Sequence, residues 1–283
     1  MTTIETMPNG FEYINIKNSS SSAKIALQGA HIFHFQPKDL QALLWVSEKS
    51  RFEEGIAIRG GVPICWPWFG EHPNNPNLPK HGFARISMWE IESITEKDAD
   101  TTEVILSLSS SNLFAYRFKL TAHFIIAKEL TINLTTQSLD ENAFSISQAL
   151  HTYFAVDKIE NTTVSGLEKR EYTDFQTKTD HVQNGSITID TEVDRIYHDV
   201  TYPLSIDDKK RRISIGASGS QSSVVWNPWK EKSKAMADLD DEGYKKFVCV
   251  ESTNTRKDEK VIEPQKSHTL SVTYTMLKVK EVL

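Results

Sequence analysis

The stretch 116–138, YRFKLTAHFIIAKELTINLTTQS, decides the fold. Phe118, Leu120, Ala122, Phe124 and Ile126 fall on every second residue, and Leu130, Ile132 and Leu134 repeat the spacing after the connection "KEL" (128–130). Successive side chains of a strand point to opposite faces, so a period of two describes antiparallel strands with one face buried. The same texture recurs along the chain. It is read in "FEYINIK" (11–17), "KIAL" (24–27), "HIFHF" (31–35), "QALLWV" (41–46), "ISMWEIESI" (86–94) and "TEVILSLSS" (102–110). It continues through "AFSISQALHTYFAV" (143–156), "GSITI" (185–189), "RRISIGA" (211–217), "SSVVW" (222–226), "KFVCVE" (246–251) and "SHTLSVTYTMLKV" (267–279). Turn-rich pieces such as "LDEN", "QNGS" and "IDDKK" separate these runs. Only "WKEKSKAMADL" (229–239) reads as a helix.

Strands that do not alternate with helices of ten to fifteen residues argue against a doubly wound α/β fold. The expectation is an all-β chain: a large antiparallel β-sandwich of two stacked sheets with few short helices. No composition shift, flexible linker or internal repeat divides residues 1–283, so a single domain is expected.

Composition narrows the function. Apolar residues make up 39% of the 283 and charged residues 25%, enough for a packed core. The net charge of −6 is spread along the chain, whereas a nucleic-acid binder would carry a basic stripe. The N-terminal residues lack the basic and apolar regions of a secretion signal, and no apolar run approaches membrane-spanning length. Two distant cysteines, Cys65 and Cys249, make no disulfide framework. With no CxxC, HExxH or metal-spaced His/Cys cluster, neither metal nor cofactor is expected, and both cysteines read as buried packing. A cytoplasmic protein with no membrane or nucleic-acid partner is the expectation.

One long segment breaks the strand pattern. "AIRGGVPICWPWFGEHPNNPNLPKHGFAR" (57–85) holds half of the ten prolines together with Trp66, Trp68 and Phe69. Structureless loops of this length inside compact domains usually carry function. Arg59 precedes a glycine pair that would let a ligand approach the backbone closely, and Lys80, His81 and Arg85 crowd its other end. Arginine suits bidentate contact with carboxylate or phosphate, although each of these cations also suits a solvated surface or an ordinary ion pair. Trp226, at a strand end before Pro228, could stack on a sugar ring or anchor the core. Asp194 could bind hydroxyls or pair with Arg195. Glu251 closes an apolar strand as a general base or as the first surface residue. A histidine set, like His151, among Leu150, Tyr153 and Phe154 is by itself more often a satisfied core or surface residue than a catalyst.

The run "IRGGVPICWPWFG" (58–70) with "HGFAR" (81–85), then "QALHTYF" (148–154), "EVDRIY" (192–197), "WNPW" (226–229) and "FVCVEST" (247–253), resembles the glucose-6-phosphate 1-epimerases. These are hexose-6-phosphate mutarotases, a branch of the aldose 1-epimerase superfamily, and the motifs follow family order from about residue 10 to 280. The resemblance implies a galactose-mutarotase-like supersandwich. It implies that His151 gives a proton to the ring oxygen and Glu251 takes one from the anomeric hydroxyl. It makes Arg59 and Arg85 substrate and phosphate contacts, Asp194 a hydroxyl contact, and sets His81 beside the sugar. Lys80 stands where similar sequences often have Gln, which leaves a phosphate contact and an outward-pointing cation both open.

Mutarotation opens the C1–O5 bond, rotates the aldehyde and closes the ring on its other face, and it needs an acid and a base on one small region. On this reading Glu251 is ionised at neutral pH and His151 protonated. The partner is a hexose 6-phosphate, and the chain acts as a monomer. A non-catalytic carbohydrate-binding sandwich and an aldose 1-epimerase for unphosphorylated sugars are the alternatives. Neither would need both an acid/base pair and the paired arginines.

Overall fold

The computed structural model describes residues 1–109 and 111–278; Ser110 and Val279, which end two of the expected strands, lie outside them. The hairpin that carries the strongest alternation forms as read. Phe118–Ile126 pairs with Leu130–Ser138 in register from Phe118↔Ser138 to Ile126↔Leu130, and the every-second residues are buried. These two strands belong to a nine-stranded antiparallel sheet. Its order is Ile187–Thr188, Thr163–Ser165, Leu204–Asp207, Arg211–Ser218, Ser267–Lys278, Leu130–Ser138, Phe118–Ile126, Thr102–Leu108 and Glu90–Glu96.

A second antiparallel sheet runs Thr179–Val182, Glu171–Asp174, Val193–Tyr197, Ser222–Asn227, Phe247–Asn254, Gln148–Leu150 and Ile64–Cys65, with Tyr153–Ala155 also on Phe247–Asn254. Val225, Val248 and Val250 of this sheet join Leu120, Leu134 and Val272 of the nine-stranded sheet in one buried apolar cluster. The two sheets therefore face one another, as the sandwich reading requires. A four-stranded sheet of Thr2–Thr6, Glu12–Lys17, Ser21–Ala26 and His31–Pro37 adds Ile14, Ile16 and Ile25 to the same cluster.

Several expectations change in detail. "QALLWV" forms no strand; Leu44 and Val46 make only isolated bridges, to Phe154 and Gly60. Thr2–Thr6, Glu171–Asp174 and Val193–Tyr197 are strands that propensity did not mark, because their residues are mixed and their pairing is supplied by neighbours. The helix is Trp229–Ala235, shorter than 229–239. Among the described residues no helix is long and apolar enough to cross a membrane.

Candidate active site

The face of the second sheet turned away from the core forms the floor of a pocket of about 830 Å³. The strand period decides which residues reach it. On Phe247–Asn254, Val248 and Val250 enter the core, so Cys249 and Glu251 point the other way. On Ser222–Asn227, Val225 is core while Val224 and Trp226 line the pocket. On Val193–Tyr197, Val193 and Tyr197 are core while Asp194 and Ile196 line the pocket. Register then aligns these residues in rows. Asp194, Trp226, Cys249 and Tyr153 lie side by side across four strands, and Ile196, Val224 and Glu251 form the next row.

His151 completes that second row. The expected strand 143–156 is broken into Phe144–Ile146, Gln148–Leu150 and Tyr153–Ala155, with His151 and Thr152 between the last two pieces. Leu150 pairs with Ser252 and Tyr153 with Cys249, so the register on either side sets His151 opposite Glu251. The His151 amide donates to the Pro63 carbonyl (3.0 Å), on the side of the Ile64–Cys65 strand and not of the Glu251 strand, and Thr152 bonds the Tyr274 hydroxyl (2.6 Å) across the sandwich. Glu251 is not at a strand end, as its position before polar residues suggested. It sits mid-strand, because Ser252, Thr253 and Asn254 continue the strand while buried.

The His151 Nδ1 atom stands 3.3 Å from Glu251 Oε1, with the side chains 10% and 1% exposed. The imidazole stacks on the Tyr153 ring at 5.0 Å, and the Trp226 ring meets it edge-on at 6.0 Å. Burial pushes the His151 imidazole down to about 3, and the charges of Arg59 and Arg85 add to the effect. Burial pushes the Glu251 carboxyl well above the usual carboxylate range, with Asp194 adding to it. Burial thus works against the charged form of each member of the pair. The expected imidazolium and carboxylate are therefore the forms that desolvation opposes.

All the other expected site residues line the same pocket. His81 packs its ring edge-on to His151 at 5.7 Å. Its Nδ1 accepts from the Gly70 amide (3.2 Å), which places the proton of the neutral ring on Nε2. Burial lowers the His81 pKa well below the usual value, so that neutral form is the one present. Gly82 behind it has φ +74°, and a Cβ there would meet the Trp66 carbonyl oxygen at 1.9 Å. The Gly60–Gly61 pair serves the same end and does not admit a ligand. A Cβ on Gly60 would meet Trp45 O and Val46 Cα at 2.4 Å, and one on Gly61 would meet Ile32 O at 2.5 Å.

The cations divide into two groups. Arg59 is held by Asp238, with Nε and Nη2 at 3.1 and 3.0 Å from Oδ2, and its Nη1 donates to the Tyr153 hydroxyl at 2.9 Å. Arg85 donates from Nη2 to the Lys80 carbonyl at 2.7 Å, and among the described residues its buried Nε has no partner. Among the described residues neither Arg85 nor the exposed Lys80 pairs with a carboxylate. Burial raises the Asp194 pKa against the pull of Lys232, whose Nζ lies 3.8 Å away and 2.7 Å from Glu192.

The sequence reading missed Lys232 and Arg256, both on the pocket wall, and Asp238 behind Arg59. Lys232 belongs to the short helix and Arg256 to the turn after the Glu251 strand, lying over the Phe175 ring at 5.4 Å. One sequence offers no local signal to separate such cations from solvated ones.

The aldose 1-epimerase family model matches residues 12–275. A protein of Escherichia coli (strain K12), provisionally named glucose-6-phosphate 1-epimerase, is 36% identical over 264 residues, covering 91% of this chain and 88% of the relative. A Cenchrus ciliaris protein with the same provisional name is 32% identical, covering 88% and 80%. The crystal structure of YeaD from Salmonella typhimurium, provisionally called a mutarotase, superposes with a TM-score of 0.92 at 32% identity over 98% of this chain and 94% of that one. A galactose mutarotase-like protein from Clostridium acetobutylicum shares the fold at 13% identity, with a TM-score of 0.77. With a match that spans nearly all of its sheets and every wall of the pocket, this chain belongs to the aldose 1-epimerase family.

Proposed function

We propose that the protein interconverts the α and β anomers of hexose 6-phosphates, glucose 6-phosphate among them, with His151 and Glu251 as the acid/base pair. The observation that carries the reading is this pair, 3.3 Å apart on the floor of a pocket walled by Lys80, Arg85, Lys232 and Arg256. The relatives' provisional names agree with it.

Ring opening removes a proton from the anomeric hydroxyl and adds one to the ring oxygen. With Glu251 ionised and His151 protonated, Glu251 takes the first proton and His151 supplies the second. That leaves a protonated carboxyl and a neutral imidazole beside the open-chain aldehyde, which is the form burial favours. After rotation about C1–C2 the two transfers run backward and close the ring on its other face. Each transfer of this kind contributes about 10²–10⁴-fold.

Arg85 and Lys80 take the 6-phosphate, Arg59 adds to the positive field from its Asp238 clamp, and Asp194, His81 and Trp226 hold the ring. A phosphate monoester carries close to two negative charges at neutral pH. Near Arg59 and Arg85 it offsets the field that lowers His151, and so favours the imidazolium needed for opening. The reading includes a single-domain, cytoplasmic monomer.

Anomer-exchange NMR with glucose 6-phosphate and with glucose tests the proposal. Exchange well above the uncatalysed rate, and faster for the phosphate ester, is expected. Equal acceleration of both sugars points to an ordinary aldose epimerase, and no acceleration of either sinks the enzyme reading.

A further inference from the structure

The sequence contains no metal-ligand spacing, yet the fold assembles three donors of the right kind. His151, Cys249 and Glu251 each bring one ligand atom to within 4.8 Å of the others, and all three residues are buried. Cys249 and Glu251 are two apart on one strand and so share a face, and the register brings His151 across from Glu251.

We propose that this cluster is a binding site for a thiophilic divalent cation such as Zn²⁺, held by the His151 imidazole, the Cys249 thiolate and a Glu251 carboxylate oxygen. The inference goes beyond the proposed anomerase reaction and needs no turnover to be tested.

Three features support it. Zinc bonds of about 2.0–2.3 Å in a tetrahedral arrangement put nitrogen, oxygen and sulfur donors about 3.3–3.7 Å apart. The 3.3 Å between His151 Nδ1 and Glu251 Oε1 already matches, and the remaining separations need to close by about an ångström. His151 Nδ1 and Glu251 Oε2 are buried, and among the described residues neither has a hydrogen-bond partner. Thiolate and carboxylate together carry two negative charges, so a divalent cation leaves the buried site neutral; the thiol proton, and with it any proton on the Glu251 carboxyl, passes to solvent as the metal bonds form.

The imidazole, thiolate and carboxylate set suits zinc, while hard cations such as Mg²⁺ prefer all-oxygen shells. Three protein donors leave a fourth position, and His151 and Glu251 both open onto the pocket, so that position faces it. An ion there occupies both members of the acid/base pair and blocks them.

The test uses the full chain, treated with chelator and titrated with Co²⁺ as a spectroscopic stand-in for Zn²⁺. One equivalent should give a thiolate-to-cobalt charge-transfer band and tetrahedral d–d absorption. Zn²⁺ should displace it. Cys249→Ser should abolish the band and weaken Zn²⁺ binding by more than about tenfold, a first ligand costing no less than an outer-shell partner, whereas Cys65→Ser should keep both. Absence of saturable one-to-one binding, a complex without a thiolate band, or a band that survives Cys249→Ser overturns the proposal. Should the Cys249 variant fail to fold, crystals of the unmodified protein soaked in Zn²⁺ decide the matter. An anomalous peak bridging the three side chains is expected, and peaks only elsewhere overturn the site.

Discussion

His151 and Glu251 lie 100 residues apart in sequence and 3.3 Å apart in space, opposite one another across an interrupted strand pair. Desolvation disfavours the charged form of both. An acid and a base held this close can exchange protons with two oxygens on one carbon.

Replacing either member is expected to remove most of the catalysis. His151→Asn and Glu251→Gln should each lower anomer exchange of glucose 6-phosphate by about 10²–10⁴-fold, with the circular dichroism spectrum unchanged. A folded variant with full turnover would show that the residue takes no part in proton transfer.

Arg85 and Arg59 should behave differently. Arg85 has no carboxylate partner among the described residues, so Arg85→Ala is expected to lower kcat/KM for glucose 6-phosphate about ten- to a hundredfold, as loss of a charge-assisted contact does. Glucose should be little affected. Arg59 also holds the Tyr153 hydroxyl, and Tyr153 stacks on His151, so Arg59→Ala should impair both sugars. Steady-state rates on both substrates distinguish the two patterns.

Phosphate and His151 should be thermodynamically linked. Arg59 and Arg85 depress the His151 pKa, so an anion that offsets them raises it. Inorganic phosphate should therefore move the His151 imidazole ¹⁵N titration to higher pH, and it should accelerate exchange of free glucose. Phosphate that inhibits glucose exchange and leaves the imidazole titration in place would contradict the linkage.

Stability should depend on pH through buried groups of opposite sense. His31, buried with Nε2 2.8 Å from the Gly60 carbonyl oxygen, is pushed down to about 3, as is His151. A depressed histidine favours folding in its neutral form. Its contribution is therefore present above about pH 6.5 and is lost as pH falls toward 3, because the unfolded chain binds the proton first. The raised Glu251 has the opposite sign, contributing below its ordinary range and losing that contribution as pH rises. Thermal unfolding of Glu251→Gln should thus gain on the parent protein as pH is raised, by at most about 1.4 kcal/mol per pH unit. Parallel curves would place the carboxyl outside this linkage.

Gly82→Ala should damage the site through its backbone. The added Cβ meets the Trp66 carbonyl oxygen, and φ +74° is unfavourable for alanine. A loss of at least about 1–3 kcal/mol and impaired exchange are expected, because neighbouring His81 is itself at φ +65°. An unfolding curve that matches the parent would show that this turn relaxes freely.

The sequence by itself determined what depends on neighbours a few residues away. Alternation in 116–138 specified half-buried antiparallel strands, because strand side chains change face at every residue. The motif run from Arg59 to Glu251 named eight residues that all line one pocket. Only the tertiary structure decided what those residues meet. Arg59 is clamped by Asp238, 179 residues away, while Arg85 has no carboxylate partner among the described residues. Glu251 lies mid-strand, and Cys249, read as packing, stands beside His151. Cross-strand register and desolvation set these relationships, and both arise from pairing between distant segments. No local pattern encodes which residue will lie opposite another, or how much water will remain around it.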